Sequence, residues 1–108
     1  MATFDEYIKA LETGIKELAK ESLGGFKAEA LRDSRDFVEK MKDDLERWIQ
    51  QVQAGELTKQ DFEWLLQGKK DLLEMHSLEQ KGIAIVEINR FKGKLYALLV
   101  NTALNMFV

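Results

Sequence analysis

His76 is the only histidine in the chain, and histidine is the side chain whose charge changes most readily near neutral pH. Glu79 follows three positions later, so the two side chains could share a helix face and bind a metal ion weakly. A di-iron carboxylate bundle needs two such carboxylate and histidine pairs, which one histidine cannot supply. His76 also falls in register with an inner apolar stripe of Leu65 or Leu66, Leu72 and Leu73. We therefore predict no metal site and no cofactor, with His76 at the boundary of the core.

Carboxylates are densest in the second quarter of the chain, where they could form a cation site or an acid and base pair. The acids are Asp33, Asp36, Glu39, Asp43, Asp44 and Glu46. The bases interleaved with them at helical spacing are Arg32, Arg35, Lys40, Lys42 and Arg47. Opposite charges three or four positions apart are typical of a solvated, ion-paired helix face. We therefore predict no catalytic residue in this cluster.

Other catalytic signatures are missing from the sequence. It contains no cysteine, no glycine-rich phosphate loop, no nucleophile elbow and no zinc-ligand spacing. We therefore expect a protein that is not an enzyme.

A turn between two predicted helices, at residues 55–62, resembles the helix-entry turns of many helix-turn-helix proteins. The helix that it opens begins with Lys59, Gln60 and Asp61, and Glu63 follows. Two acids in that first turn disfavour contact with phosphate groups, and the net charge of the chain is −3. We predict that the protein does not bind nucleic acid.

The composition of the chain favours helices throughout. Its 108 residues suit one domain, proline is absent, and residues with high helix propensity dominate. We predict a single all-α domain over residues 1–108. The chain begins without a basic region followed by an apolar run, so we expect a cytoplasmic protein.

The first two helices have clear limits in the sequence. A capping box formed by Thr3 and Glu6 predicts a first helix over residues 3–22, which the pair Gly24 and Gly25 ends. An apolar stripe predicts a second helix over residues 26–53, and Gly55 stops it.

The third helix has the strongest start signal in the chain. Thr58 is a good N-cap, Asp61 is acidic at the third helical position, and Leu57 and Phe62 fit the two ends of a hydrophobic staple. A break near Gly82 would give helices over residues 58–81 and 82–107, in an antiparallel bundle of four. The alternative is three helices, with the last running from about 58 to 107, either straight or kinked near Gly82.

The last predicted helix is apolar on nearly all sides. Its uncharged run, residues 95–108, has 14 residues, fewer than the roughly 20 needed to cross a bilayer. Three interpretations remain open: a central helix of the bundle, an interface with a second copy or another protein, or association with a membrane surface through Arg90, Lys92 and Lys94.

Two tryptophans, Trp48 and Trp64, flank the loop between the second and third helices. We expect them to pack there, but an exposed Trp64 would be the best candidate for a partner anchor. The predicted interaction residues are Trp64, Ile88, Phe91, Leu95, Leu98, Leu99 and Phe107.

These patterns favour a small non-enzymatic helical bundle that acts through protein association. It would have a structural, adaptor or assembly role. Its partner would be a second copy of the chain, in a dimer or tetramer, or another helical protein. The alternative is a membrane-surface or lipid-binding protein that uses the same C-terminal helix.

Overall fold

A computed structural model describes residues 2–69 and 74–107 of the chain, and it confirms an all-α fold. No strand occurs among these residues. The helices are α1 (Phe4–Ser22), α2 (Lys27–Gln53), α3 (Lys59–Gln67), α4 (His76–Gln80) and α5 (Ile85–Phe107). Helices α1, α2 and α5 therefore agree with the predicted limits to within a few residues.

Contacts between α1 and α5 show that these helices are antiparallel. Tyr7, near the start of α1, donates a hydrogen bond to the carbonyl oxygen of Leu99, and its ring packs against Phe107. At the other end of α1, Ser22 accepts a 3.4 Å hydrogen bond from Lys94. The start of α1 therefore lies beside the end of α5.

The remaining long helices complete the bundle. Helix α2 runs parallel to α5, because Phe37 packs against Tyr96 while Ile49, further along α2, lines the same small void as Phe107. Helix α3 turns back after a short loop, with Phe62 against Trp48 of α2. In the order α1, α2, α3, α5 the direction alternates, so these helices form an antiparallel four-helix bundle.

The alternative of one long helix over residues 58–107 is wrong. Such a helix would measure roughly 75 Å at 1.5 Å per residue, whereas the longest extent of the described structure is 43 Å. Gly82 has a positive φ of 75° and separates α4 from α5. The predicted break near Gly82 is therefore confirmed.

The predicted helix over residues 58–81 is also wrong in its extent. It is replaced by α3 and the five-residue α4. Helix α3 ends at Gln67, and Gly68 follows as its C-cap. Gly68 is a sequence signal for this end, because glycine is a poor helix former. Leu72 and Leu73, assigned to the inner stripe of that helix, lie outside the described residues.

The predicted starts and ends of the other helices agree with the structure to different degrees. Thr3 caps α1 by accepting a hydrogen bond from the backbone N–H of Glu6, and Gly55 has the positive φ of a helix stop. Gly24 and Gly25 do not adopt a left-handed conformation. They end α1 as part of a 3₁₀ turn, Gly24–Phe26, that leads directly into α2.

Candidate functional site

Trp64 is the most exposed large apolar side chain in the described structure, with 75% of its surface accessible. It lies at a shallow groove between α2 and α3 that is also lined by Trp48, Leu65, Gln67 and Lys69. Trp48 itself is only 5% exposed and forms the inner wall of this region. Trp64 is therefore exposed, which was the condition for it to be a candidate partner anchor.

Trp64 points away from the core because other side chains occupy the buried face of α3. Phe62 and Leu66 are each 1% exposed, and Trp64 lies midway between them in sequence. A step of two residues turns a helix by about 200°, so a residue between two buried positions faces away from the core. The orientation of Trp64 thus follows from the burial of its neighbours.

The start of α3 is fixed by short-range hydrogen bonds. The Thr58 hydroxyl accepts a 3.1 Å hydrogen bond from the backbone N–H of Asp61. The Asp61 carboxylate accepts a 3.0 Å hydrogen bond from the backbone N–H of Thr58. This reciprocal capping box confirms the predicted start and gives the short helix a defined position.

The surface around Trp64 combines an apolar groove with polar and charged edges. Gln60, Trp64 and Gln67 follow the four and three spacing of one helix face, and all three are exposed. Asp61 and Glu63 are exposed beside them, and Lys69 lies at the far end of the groove. Because Trp48, Trp64 and Leu65 line the groove itself, this face suits an apolar contact that is bordered by two acids and one base.

The other predicted interaction residues lie mostly inside the molecule. Ile88, Phe91, Leu95 and Leu99 are buried in the core of the chain, so they cannot form a contact surface in this fold. Leu98 and Phe107 are partly buried and pack against the same core. The chain covers the apolar face of α5, whereas Asn89, Gly93, Ala97, Asn101 and Asn105 form an exposed face of the same helix, so α5 is not a central helix that is covered on all sides.

A second apolar feature lies at the opposite end of the bundle. Ile85 and Val86, in the first turn of α5, are 63% and 61% exposed. Phe26, in the 3₁₀ turn before α2, is exposed at the same end because α2 and α5 are parallel. Sequence reasoning missed this feature, although Ile85 and Val86 follow directly on the break at Gly82.

Comparison with family models, with curated proteins and with solved structures finds no match to this chain. The geometry of the described residues therefore has to carry the functional argument.

His76 does not occupy the inner position predicted for it. Its side chain is exposed, and Nε2 lies 2.6 Å from Oε2 of Glu74, two residues earlier. The inner stripe was inferred from one continuous helix, and the end of α3 at Gln67 breaks that register. Within residues 2–69 and 74–107, no three His, Asp or Glu side chains are grouped so that they could hold a metal ion.

Most of the acidic cluster on α2 is exposed, as predicted. Arg35 donates two hydrogen bonds to the Glu12 carboxylate of α1, and Arg47 pairs with Asp44 within α2. The hydrogen bond from Arg35 is the main cause that lowers the pKa of Glu12, and the same bond raises the pKa of Arg35. The Arg35–Glu12 pair joins α2 to α1, whereas the Arg47–Asp44 pair lies along α2 alone.

Asp33 is the exception in that cluster, since it is only 3% exposed. Its two carboxylate oxygens accept hydrogen bonds from the backbone N–H groups of Ser77 and Leu78. The prediction of a solvated Asp33 is therefore wrong. The signal was its position, because Asp33 is three residues after buried Ala30 and four before buried Phe37, on the apolar stripe of α2.

None of the described helices combines the length and the apolar character that are needed to cross a bilayer.

Proposed function

We propose that this chain is a small, non-enzymatic helical-bundle protein that acts through protein association, with Trp64 at the centre of its contact surface. The observation that carries the proposal is the 75% exposure of Trp64 on a helix whose inner face is buried. The contact surface thus moves from the C-terminal helix of the sequence prediction to α3.

The indole of Trp64 is large, and the helix that carries it is held in a fixed position. Tryptophan is among the residues that contribute most when buried in interfaces, where single truncations cost about 2 kcal/mol or more. The capping box and the buried residues Phe62 and Leu66 hold α3 in place before any partner arrives. A preorganised helix loses little backbone entropy on binding, so the side chain of Trp64 is the main group that has to be ordered.

The partner that we propose first is a second copy of this chain, in a dimer or tetramer, with another helical protein as the alternative. Trp48, Trp64 and Leu65 line the groove, which supports an apolar contact between two copies. Such a contact fits a structural, adaptor or assembly role. We propose the cytoplasm as its compartment, with which the cysteine-free sequence is compatible.

Fluorescence and mass measurements test this proposal together. The chain has two tryptophans, so Trp48→Phe leaves Trp64 as the only indole. We expect its emission to shift to shorter wavelength as protein concentration rises, in step with an increase in mass above 12.5 kDa by sedimentation velocity.

Two further variants make the test specific. Trp64→Ala in the unaltered background should abolish the increase in mass, whereas Glu39→Ala, at an exposed carboxylate of α2 that faces α1, should leave it unchanged. A mass that stays at that of a single chain, with constant emission from Trp64, would refute self-association.

A membrane-surface protein is the weaker proposal. In that mechanism α5 would lie in the lipid interface on its apolar face, but Ile88, Phe91 and Leu95 of that face are buried against the other helices. Sedimentation with anionic vesicles at low salt tests it, and recovery of the protein with the vesicles would revive this alternative.

A further inference from the structure

We propose that residues 75–82, which contain α4, form a strap that opens locally while the rest of the bundle stays folded, and that Asp33 is the residue that holds it closed. The proposal rests on one long-range pair of hydrogen bonds and on the small number of buried residues in this segment. It is independent of the association proposed for Trp64.

The hydrogen bonds that Asp33 accepts replace a cap that α4 lacks. The N-cap residue of α4 is Met75, whose side chain makes no capping hydrogen bond. Asp33 of α2 instead accepts bonds of 3.1 Å and 3.0 Å from the N–H groups of Ser77 and Leu78, across 44 and 45 positions. The first turn of α4 is therefore completed by a side chain from another helix.

Little else holds the strap against the bundle. A helix of five residues is far below the length that is stable alone in water. Only Met75 and Leu78 of the described segment are buried, whereas α2 buries nine residues and α5 buries six. Segments with few buried apolar contacts open at a lower free energy than the global unfolding of the protein.

The C-terminal end of the strap and its outer side chains also permit such an opening. Gly82 has φ of 75°, and the side chains of His76, Glu79 and Lys81 point into solvent. Because α4 packs against both α2 and α5, its departure would uncover apolar surface between them. That surface would continue the exposed first turn of α5, which carries Ile85 and Val86.

Hydrogen exchange on the unmodified chain gives the first test. Amides of residues 78–82 should exchange through an opening that depends weakly on added denaturant. Amides of Leu11, Leu45 and Leu95 should exchange only through global unfolding, with a steep dependence. If the α4 amides show the same opening free energy and the same steep dependence as the core amides, the strap does not open separately and the proposal is wrong.

Substitution of Asp33 gives the second test. Asp33→Ala should raise the exchange rate of the α4 amides by about tenfold to a hundredfold, because hydrogen bonds to a charged group are removed. Asp36→Ala, at an exposed carboxylate on the same helix, serves as the matched control and should leave these rates unchanged. An equal increase at all core amides in Asp33→Ala would show a global effect and overturn the assignment of Asp33.

Thiol labelling gives a third test that does not depend on amide exchange. The chain has no cysteine, so each introduced thiol is a single reporter. Leu78 and Leu45 are both 0% exposed. Leu78→Cys should react with a thiol reagent under native conditions at least tenfold faster than Leu45→Cys, after each rate is corrected for the global stability of its variant. Equal corrected rates would contradict a local opening.

Discussion

The Tyr7 hydroxyl donates a 2.9 Å hydrogen bond to the backbone carbonyl oxygen of Leu99, which lies 92 positions away in α5. The ring of Tyr7 is fully buried and packs against Phe4 and Phe107. One side chain thus joins the first helix to the last through both a polar contact and aromatic contacts.

Tyr7→Phe should lower the free energy of unfolding by about 1 kcal/mol, the usual net value of one hydrogen bond. The ring contacts remain, so a larger loss is not expected. Urea denaturation followed by circular dichroism measures the difference. An unchanged free energy would show that this hydroxyl adds nothing to the stability of the bundle.

The same hydroxyl should make stability depend on alkaline pH. Burial raises the pKa of Tyr7 above its ordinary value. In the unfolded chain the group ionises near pH 10, so its contribution is complete below that pH and is lost as pH rises further. The loss should reach about 1.4 kcal/mol per pH unit at most. Tyr7→Phe should show a smaller decrease than the unmodified chain between pH 9 and pH 11, and parallel decreases would contradict this account.

Two glycines in helices should respond differently to alanine. A Cβ at Gly93, exposed in α5, would meet no atom within 4 Å, so Gly93→Ala should raise the free energy of unfolding by about 1 kcal/mol through helix propensity. A Cβ at Gly14 would lie 2.7 Å from Cδ1 of Leu98, which would have to move. Gly14→Ala should therefore gain clearly less than Gly93→Ala, as measured by thermal unfolding. Equal gains would mean that Leu98 moves at no cost.

Ser34 is fully buried on α2, and its hydroxyl has no hydrogen-bond partner in the described structure. A buried hydroxyl without a partner costs about 1 to 3 kcal/mol. Ser34→Ala removes that group with little change in volume, and we expect it to raise the free energy of unfolding by about 1 kcal/mol. A loss of stability in urea denaturation would reveal a partner for Ser34, such as a bound water.

The sequence was most informative where the stabilising contacts are local. Thr58 and Asp61, three positions apart, form the capping box that their types predict, and Thr3 caps α1 in the predicted place. Helix starts of this kind depend on a few adjacent residues, so a single sequence contains the whole signal. The same holds for Gly55, whose positive φ ends α2, whereas Gly82 also has a positive φ but its sequence context left a continuous helix open as an alternative.

The sequence was least informative where partners are far apart. The burial of Asp33 depends on two amides more than forty positions downstream, so its type alone suggested a solvated acid. His76 was misplaced because the end of α3 changes the helical register that connects it to Leu66. The outward position of Trp64 was left open as a condition, since only the packing of Phe62 and Leu66 decides which face of α3 is free.

The contrast between the caps of α3 and α4 bears on the order in which the chain folds. The start signal of α3 lies within the four residues from Thr58 to Asp61, so its hydrogen bonds can form without contacts from distant parts of the chain. Helix α4 has to wait until a loop of more than forty residues has closed and α2 is in place, and such closure costs entropy before any contact repays it. Formation of α4 is therefore expected to be a late step in the folding of this bundle.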